Sequence, residues 1–202
     1  MNRRALLVSG LTLLTLAGCS GNWGVKYSAA LETEVSSEWT LGRVSVTVPD
    51  TLTVSEDNVY APDADIVWHG EDFGDRHEQV RAILAEGLTQ GASELSGKRR
   101  IALSARLVQF HAVTPIAVAR APSAVHNIKF DLQVFDARTG EPLTEPQRIS
   151  ADLDAKVGSA AVVAAVQGDT QRVRIVRHLA AVIAGWLGTG EDQRRTFSSL
   201  GR

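Results

Sequence analysis

The 202-residue chain has a single cysteine, Cys19, so it can form neither an intrachain disulfide nor a zinc site built on several cysteines. Aromatic residues are scarce at 5%, and there are only six prolines. Net charge is −2 and the pI is near 6.2. Such a chain has no field to draw nucleic acid, and no nucleic-acid partner is expected. It has no series of long apolar runs, which excludes a polytopic membrane protein. There is no Gly-rich phosphate loop and no Gly-x-Ser-x-Gly elbow. Apolar residues make up 44% and charged residues 22%, as in an ordinary globular domain rather than a disordered or collagen-like chain.

The N-terminus carries the most specific signal. Arg3 and Arg4 precede an apolar run from Ala5 to Leu16. That run is about 12 residues, roughly 18 Å as a helix, too short for a hydrocarbon core of about 30 Å. A positive start, a short apolar run and small residues after it read as a secretory signal peptide. Leu16-Ala17-Gly18-Cys19 then resembles the bacterial lipobox, in which the cysteine thiol is lipidated and the chain is cut just before it. Small residues at 17 and 18 let the chain lie extended in a narrow protease cleft, and the sulfur supplies the nucleophile. The competing reading is an ordinary signal peptide followed by a chance cysteine. Against it, an unpaired cysteine would be a liability in an oxidising compartment. The resemblance implies a mature chain starting at Cys19, anchored by acyl chains of the palmitate type. Ser20, at the position where Asp commonly retains lipoproteins in the inner membrane, implies the outer membrane, facing the periplasm.

Residues 1–18 are therefore read as signal peptide and 19–40 as a lipidated, polar tether, in which Trp23 and Tyr27 rest either at the bilayer interface or on the domain edge. Residues 41–190 are read as one domain and 191–202 as a loose tail. Val44, Val46 and Val48 alternate with Arg43, Ser45 and Thr47, which predicts a half-buried strand, and Ala64–Trp68 reads as a second. Asp75 caps a helix with Glu78 in capping-box register. Val80, Ile83, Leu84, Leu88 and Leu95, with Gly87 and Gly91 beside them, form its apolar stripe, and Gly97 marks its stop.

Three further strands follow, with Ile101–Leu107, Ile128–Val134 and Ile149–Val157 in strict alternation. The last two flank a turn at Asp136-Ala137-Arg138-Thr139-Gly140. A final helix begins at Asp169 or Thr170, with Val173, Val176, Ala180, Ile183 and Leu187 along one side. The expected fold is two-layer α+β: an antiparallel sheet of about five strands with two helices packed on one face. The lipobox, the strand-then-helix opening and the Asp-x-x-Thr-Gly turn together resemble bacterial envelope lipoproteins, including transport-auxiliary lipoproteins and families of unknown function. That resemblance implies an accessory role in the envelope and brings no catalytic residue with it.

Candidate chemistry is thin. His77-Glu78 opens like a zinc-protease helix, but the fifth position is Arg81 instead of histidine. Asp63, Asp65, Glu71, Asp72 and Asp75 surround His69. They read as a solvated loop and helix N-terminus, or else as oxygen ligands for Ca²⁺ or a carboxylate pair. No metal, cofactor or catalytic residue is assigned, and the chain is expected not to be an enzyme. Two segments stand out. Thr114–Ala124 is long and apolar for a strand connection, and Ile116, Val118 and Arg120 are its candidate contacts for an envelope protein partner. The other reading is that Ile116 and Val118 cover a sheet edge. Gly158–Val166 is almost wholly small and apolar, either a buried connector or a patch for a protein or lipid tail. The function expected is a lipid-anchored accessory lipoprotein binding another envelope component through the wet sheet face or these loops. A lipid- or glycan-binding lipoprotein is the alternative, and an envelope hydrolase a third reading.

Overall fold

The computed structural model describes residues 21–199. In chain order the first elements are β1 (Gly21–Lys26), α1 (Thr33–Ser36), β2 (Trp39–Thr47), β3 (Ile66–Val67) and α2 (Arg76–Gly91). Next come β4 (Arg99–His111), α3 (Pro115–Arg120), β5 (Val125–Asp136), β6 (Gln147–Ala151) and β7 (Leu153–Asp154). The last described elements are α4 (Gly158–Val166), α5 (Gln171–Trp186) and β8 (Arg195–Ser199).

The long alternating runs became the centre of the sheet. β4 and β5 pair antiparallel over ten register positions from Ile101↔Asp136 to His111↔Asn127. Alternation puts Leu103, Leu107, Phe130, Leu132 and Val134 on one face, where they are almost wholly buried. Against that face lie Val80, Ile83, Leu84 and Leu88 of α2, with Ile175, Leu179, Val182 and Trp186 of α5. Trp68 meets Phe110 edge to face at 5.8 Å beneath them. The caps follow the sequence reading: Asp75 accepts from the Glu78 N–H, and Thr170 accepts from the Val173 N–H. The turn also forms, with Asp136 Oδ1 accepting from the N–H groups of Arg138 and Thr139, and Gly140 at φ +79°.

The α+β class is as expected, but the sheet is mixed and has eight strands in the order β2-β4-β5-β6-β1-β8, with β3 on β4 and β7 on β5. β2 and β3 run parallel to β4, not antiparallel. A parallel pair needs a crossover, and the chain carrying α2 between β2 and β4 supplies it. Alternation alone reports one wet face and says nothing about which direction a neighbour runs.

Both ends of the domain extend beyond their expected limits. Residues 21–26, placed in the tether, form β1 between β6 and β8, and residues 195–199, placed in the loose tail, form β8. Neither segment alternates cleanly, so only its partners define it. The Gly24 N–H donates to Asp152 Oδ2 at 3.0 Å, and a Cβ on Gly24 would fall 2.0 Å from the Arg195 carbonyl oxygen. Tyr27 is buried, and its hydroxyl donates to Asp192 at 2.6 Å, so it belongs to the domain and not to a bilayer interface. The first helix stops at Gly91 rather than near Gly97, with Leu95 in the following turn. α1, α3 and α4 are additional to the two expected helices.

Beneath the sheet's β1 side lies a polar cluster. His126 is fully buried and neither ring nitrogen has a hydrogen-bond partner. Burial, then the neighbouring Arg174 and His178, push its pKa down to about 3. Burial, then Arg195, hold His178 down at about 4. Arg174 is itself lowered by burial, which its Asp169 neighbour opposes.

Two predictions follow from this packing. Leu132→Asp should cost about 3 kcal/mol or more, since it buries an unpaired carboxylate. Asp131→Asn loses only a part-exposed ion pair with Arg148 and should stay within about 1 kcal/mol, compared by urea denaturation. The second concerns acid. Both histidines are neutral when folded but bind protons near pH 6.5 when unfolded, so stability is lost as pH falls from about 6.5 towards 4. At pH 5 the loss should be about 2 kcal/mol per histidine, and His126→Leu should remove roughly half of it in melts at pH 7.5 and 5.

Candidate functional site

The outer face of the sheet, opposite the helices, is polar because the same alternation that buries one side exposes the other. Its residues line up in rows across four strands. Thr47, Arg106, Asp131 and Arg148 occupy one row from β2 to β6. Ser45, Ser104 and Gln133 occupy the next, and Arg43, Ala102 and Phe135 the one beyond. Lys129 and Ser150 continue the face on the other side.

Three depressions follow these rows. A hollow of about 510 Å³ lies over Ser104, Arg106, Asp131, Gln133, Pro146 and Arg148. One of about 210 Å³ joins Arg43 and Ser45 to Ser104 and Phe135. A third, of about 310 Å³, is ringed by Arg43, Arg100 and Arg138 beside Gly42 and Ala137. Gly42 is the bulged residue where the β2–β4 register shifts, and a Cβ there would press the Ile101 carbonyl oxygen at 3.0 Å. The bulge turns Arg43 onto the outer face beside the hollow.

The charges on this face are unequally matched. Arg148 forms a fork with Asp131, its Nη2 donating at 3.1 Å, and this holds Arg148 above its ordinary pKa. Arg43, Arg100, Arg106 and Arg138 are exposed and make no ion pair among the described residues. A guanidinium offers a planar set of donors matched to carboxylate or phosphate oxygens. Four of them around shallow depressions make a surface suited to an extended anionic partner.

The two apolar segments singled out in the sequence come together elsewhere. Thr114–Ala124 is not a protruding loop: it contains α3, with Thr114 as N-cap and Pro115 in the first turn. Ala117 packs into a small cluster with Val113, Ala124 and Ala155, against which Val118 also lies. Ile116 is half-buried and its N–H donates to Asn58 Oδ1 at 2.8 Å, while Arg120 is exposed. α4 packs beside α3, and Val118, Ala161, Val162 and Ala165 line a groove of about 240 Å³ with Lys156 and Arg174 at its rim. Within α4 only Ala164 is buried.

The acidic residues near His69 are spread among structural tasks. Asp65 accepts from Thr53, Glu71 accepts from Trp68 Nε1 and pairs with Arg172, and Asp75 caps α2. Glu56 takes the fork of the buried Arg76, which keeps Glu56 below the ordinary carboxylate range. Among the described residues no three His, Cys, Asp or Glu side chains converge as metal ligands would. Cys19 lies outside the described residues. The sequence points to the wet sheet face but not to its four unpaired arginines, which are scattered over residues 43–138; the signal for Arg43, Arg100 and Arg106 is their position on the polar phase of alternating strands.

No curated protein matches the chain. Among solved structures it is similar to the PelC dodecamer from Paraburkholderia phytofirmans, at 11% identity and a TM-score of 0.37, over 85% of this chain and 98% of that one. It is similar also to a minor lipoprotein from Acinetobacter baumannii, at 13% identity and a TM-score of 0.31, over 78% of this chain and 97% of that one. Residues 39–202, from the start of β2 through β8, match the family of unknown function DUF6778, and the chain belongs to that family.

Proposed function

We propose that this chain is an accessory lipoprotein of the bacterial envelope, anchored through Cys19 and binding an acidic envelope component on the outer sheet face. The observation that carries the binding half is the set of four exposed arginines without ion-pair partners around the depressions of that face. The anchoring half rests on Leu16-Ala17-Gly18-Cys19 after a short apolar run. Among the described residues no helix is long and apolar enough to cross a membrane. Ser20 favours the outer membrane, with the domain in the periplasm. The role is one of holding or positioning: the face offers guanidinium donors for charged oxygens.

Two experiments test the halves separately. Cys19→Ala should abolish the acyl mass seen in whole-protein mass spectrometry and block cleavage before residue 19, and the domain should leave the membrane fraction once the signal segment is removed. Retention of that mass, or of membrane association after signal cleavage, would contradict the anchor. For the face, binding of polygalacturonate and of polyglutamate to the full chain can be followed by fluorescence anisotropy. Arg43→Ser with Arg106→Ser should weaken binding about tenfold or more at unchanged melting temperature, given about 1.5–3 kcal/mol per charge-assisted contact. Ile116→Ser with Val118→Ser should leave it unaltered. The reverse ranking would move the binding surface to α3.

A further inference from the structure

The large apolar side chains left in water are concentrated at one end of the domain. On α4, Val162, Val163 and Val166 are 63%, 54% and 85% exposed. Phe73 is 84% exposed, and Val59 and Tyr60 are about half exposed. Register and hydrogen bonds place them together. β4 ends at His111 and β5 begins at Val125, so α3 caps that end of the sheet. Thr114 Oγ1 donates to the Val59 carbonyl at 2.7 Å, which sets Val59 and Tyr60 beside α3. Phe73 follows Glu71, which pairs with Arg172 on the first turn of α5. α4 runs into α5 through the turn at Gly168 and packs on α3.

The start of β1 lies at this same end. β1 is antiparallel to β6, with Val25↔Ala151, and its first residue pairs as Gly21↔Ser199. Ser199 Oγ in turn hydrogen-bonds Ser123 Oγ at 3.0 Å, in the segment just after α3. Cys19 is two residues before Gly21, and two residues of chain reach at most about 7 Å. A lipid on that sulfur therefore leaves the domain beside α3 and α4.

We propose that this end of the domain docks into the interfacial layer of the bilayer that holds the Cys19 lipid, with α4, Phe73 and Tyr60 inserted at headgroup depth. The inference rests on the reading of Cys19 as lipidated. A helix apolar on all sides is ordinarily buried, yet the protein buries only Ala164 of α4 and half-covers Gly158 and Ala161, so the remaining faces call for a medium other than water. Phe73 and Tyr60 add the aromatic contacts that sit well between water and hydrocarbon. A bilayer suits this surface better than a protein, because a protein occupant would have to enter between the domain and the membrane only a few ångströms from the anchor. The contact is apolar rather than electrostatic. Lys156 and Arg177 are both taken up by Asp169, and the exposed Arg120 of α3 adds one charge to a surface made otherwise of valines and aromatic rings. Docking should consequently need no anionic lipid and survive high salt.

The test uses the lipidated full chain, in which acylation leaves an introduced cysteine as the lone free thiol. Val163→Cys, Phe73→Cys and, on α1 away from this end, Val35→Cys are labelled with a polarity-sensitive fluorophore in phosphatidylcholine vesicles. Labels at 163 and 73 should shift to the blue and be quenched several-fold by nitroxide-bearing lipid, in low and high salt, while the label at 35 should do neither. Labels at 163 and 73 as wet and unquenched as the label at 35, in protein whose lipid mass is confirmed, would overturn the docking alone. A blue shift without lipid quenching would also overturn it, because a second copy of the chain would then be the cover. Absence of the lipid mass with Cys19 still reactive would instead overturn the anchoring on which it rests.

Discussion

α2 and α5 touch where side chains are missing, and the inner layer of the domain is built around that contact. A Cβ on Gly87 would fall 2.5 Å from Leu179 Cβ, and one on Gly91 would fall 2.6 Å from both Ile183 Cβ and the Ala180 carbonyl oxygen. No alanine fits without the helices separating, so the two glycines define how close the pair lies. That closeness lets two helices of 16 residues each form one continuous cover for the central β4–β5 pair. It also determines their relative direction. Gly87 meets Leu179 and Gly91 meets Ile183, so the helices run parallel and their N-termini emerge at the same end. Arg172, in the first turn of α5, ties the pair together by pairing with Glu71 before α2 and with Glu86 within it.

This arrangement divides the surface into chemically different parts. Because both long helices lie on one side, the other side of the sheet stays open, and its polar rows carry arginines free of intramolecular ion pairs. Because both helices start at one end, that end collects the loops and short helices: the segment before α2, α3 after β4, and α4 before α5. Here apolar side chains face water, and here β1 begins, two residues after Cys19. The end proposed to dock on the bilayer and the arginine face proposed to bind a partner are thus different parts of the surface, so both proposals can hold at once.

Legibility in the sequence followed how local the determining interactions are. The α2 cap at Asp75, the α5 cap at Thr170 and the Asp136–Gly140 turn depend on groups within a few residues, and all were readable. The phase of β4 and β5 was readable as well, since each strand alternates by itself. β1 and β8 were not, because Gly21–Lys26 and Arg195–Ser199 acquire their conformation from each other and from β6 across more than a hundred residues of chain. The candidate site divides the same way. Ile116, Val118 and the 158–166 segment were singled out for apolar composition. That the two segments line one groove, and that α4 leaves most of its surface in water, depend on the packing of Ala117 and Ala164.

By itself the sequence determined the α+β class, the inner and outer faces of the central strands, the stripe on α2 with its two glycines, and a cysteine in a lipobox-like setting. These depend on side-chain period and on neighbours along the chain. Only the tertiary structure decided the parallel direction of β2, the extension of the sheet by β1 and β8, the gathering of Arg43, Arg100, Arg106 and Arg138 on one face, and the meeting of Phe73, Tyr60 and α4 beside the start of β1. Those depend on which strand pairs with which. Backbone hydrogen bonds carry no sequence signature of their own, so that choice is made by the whole core as it packs.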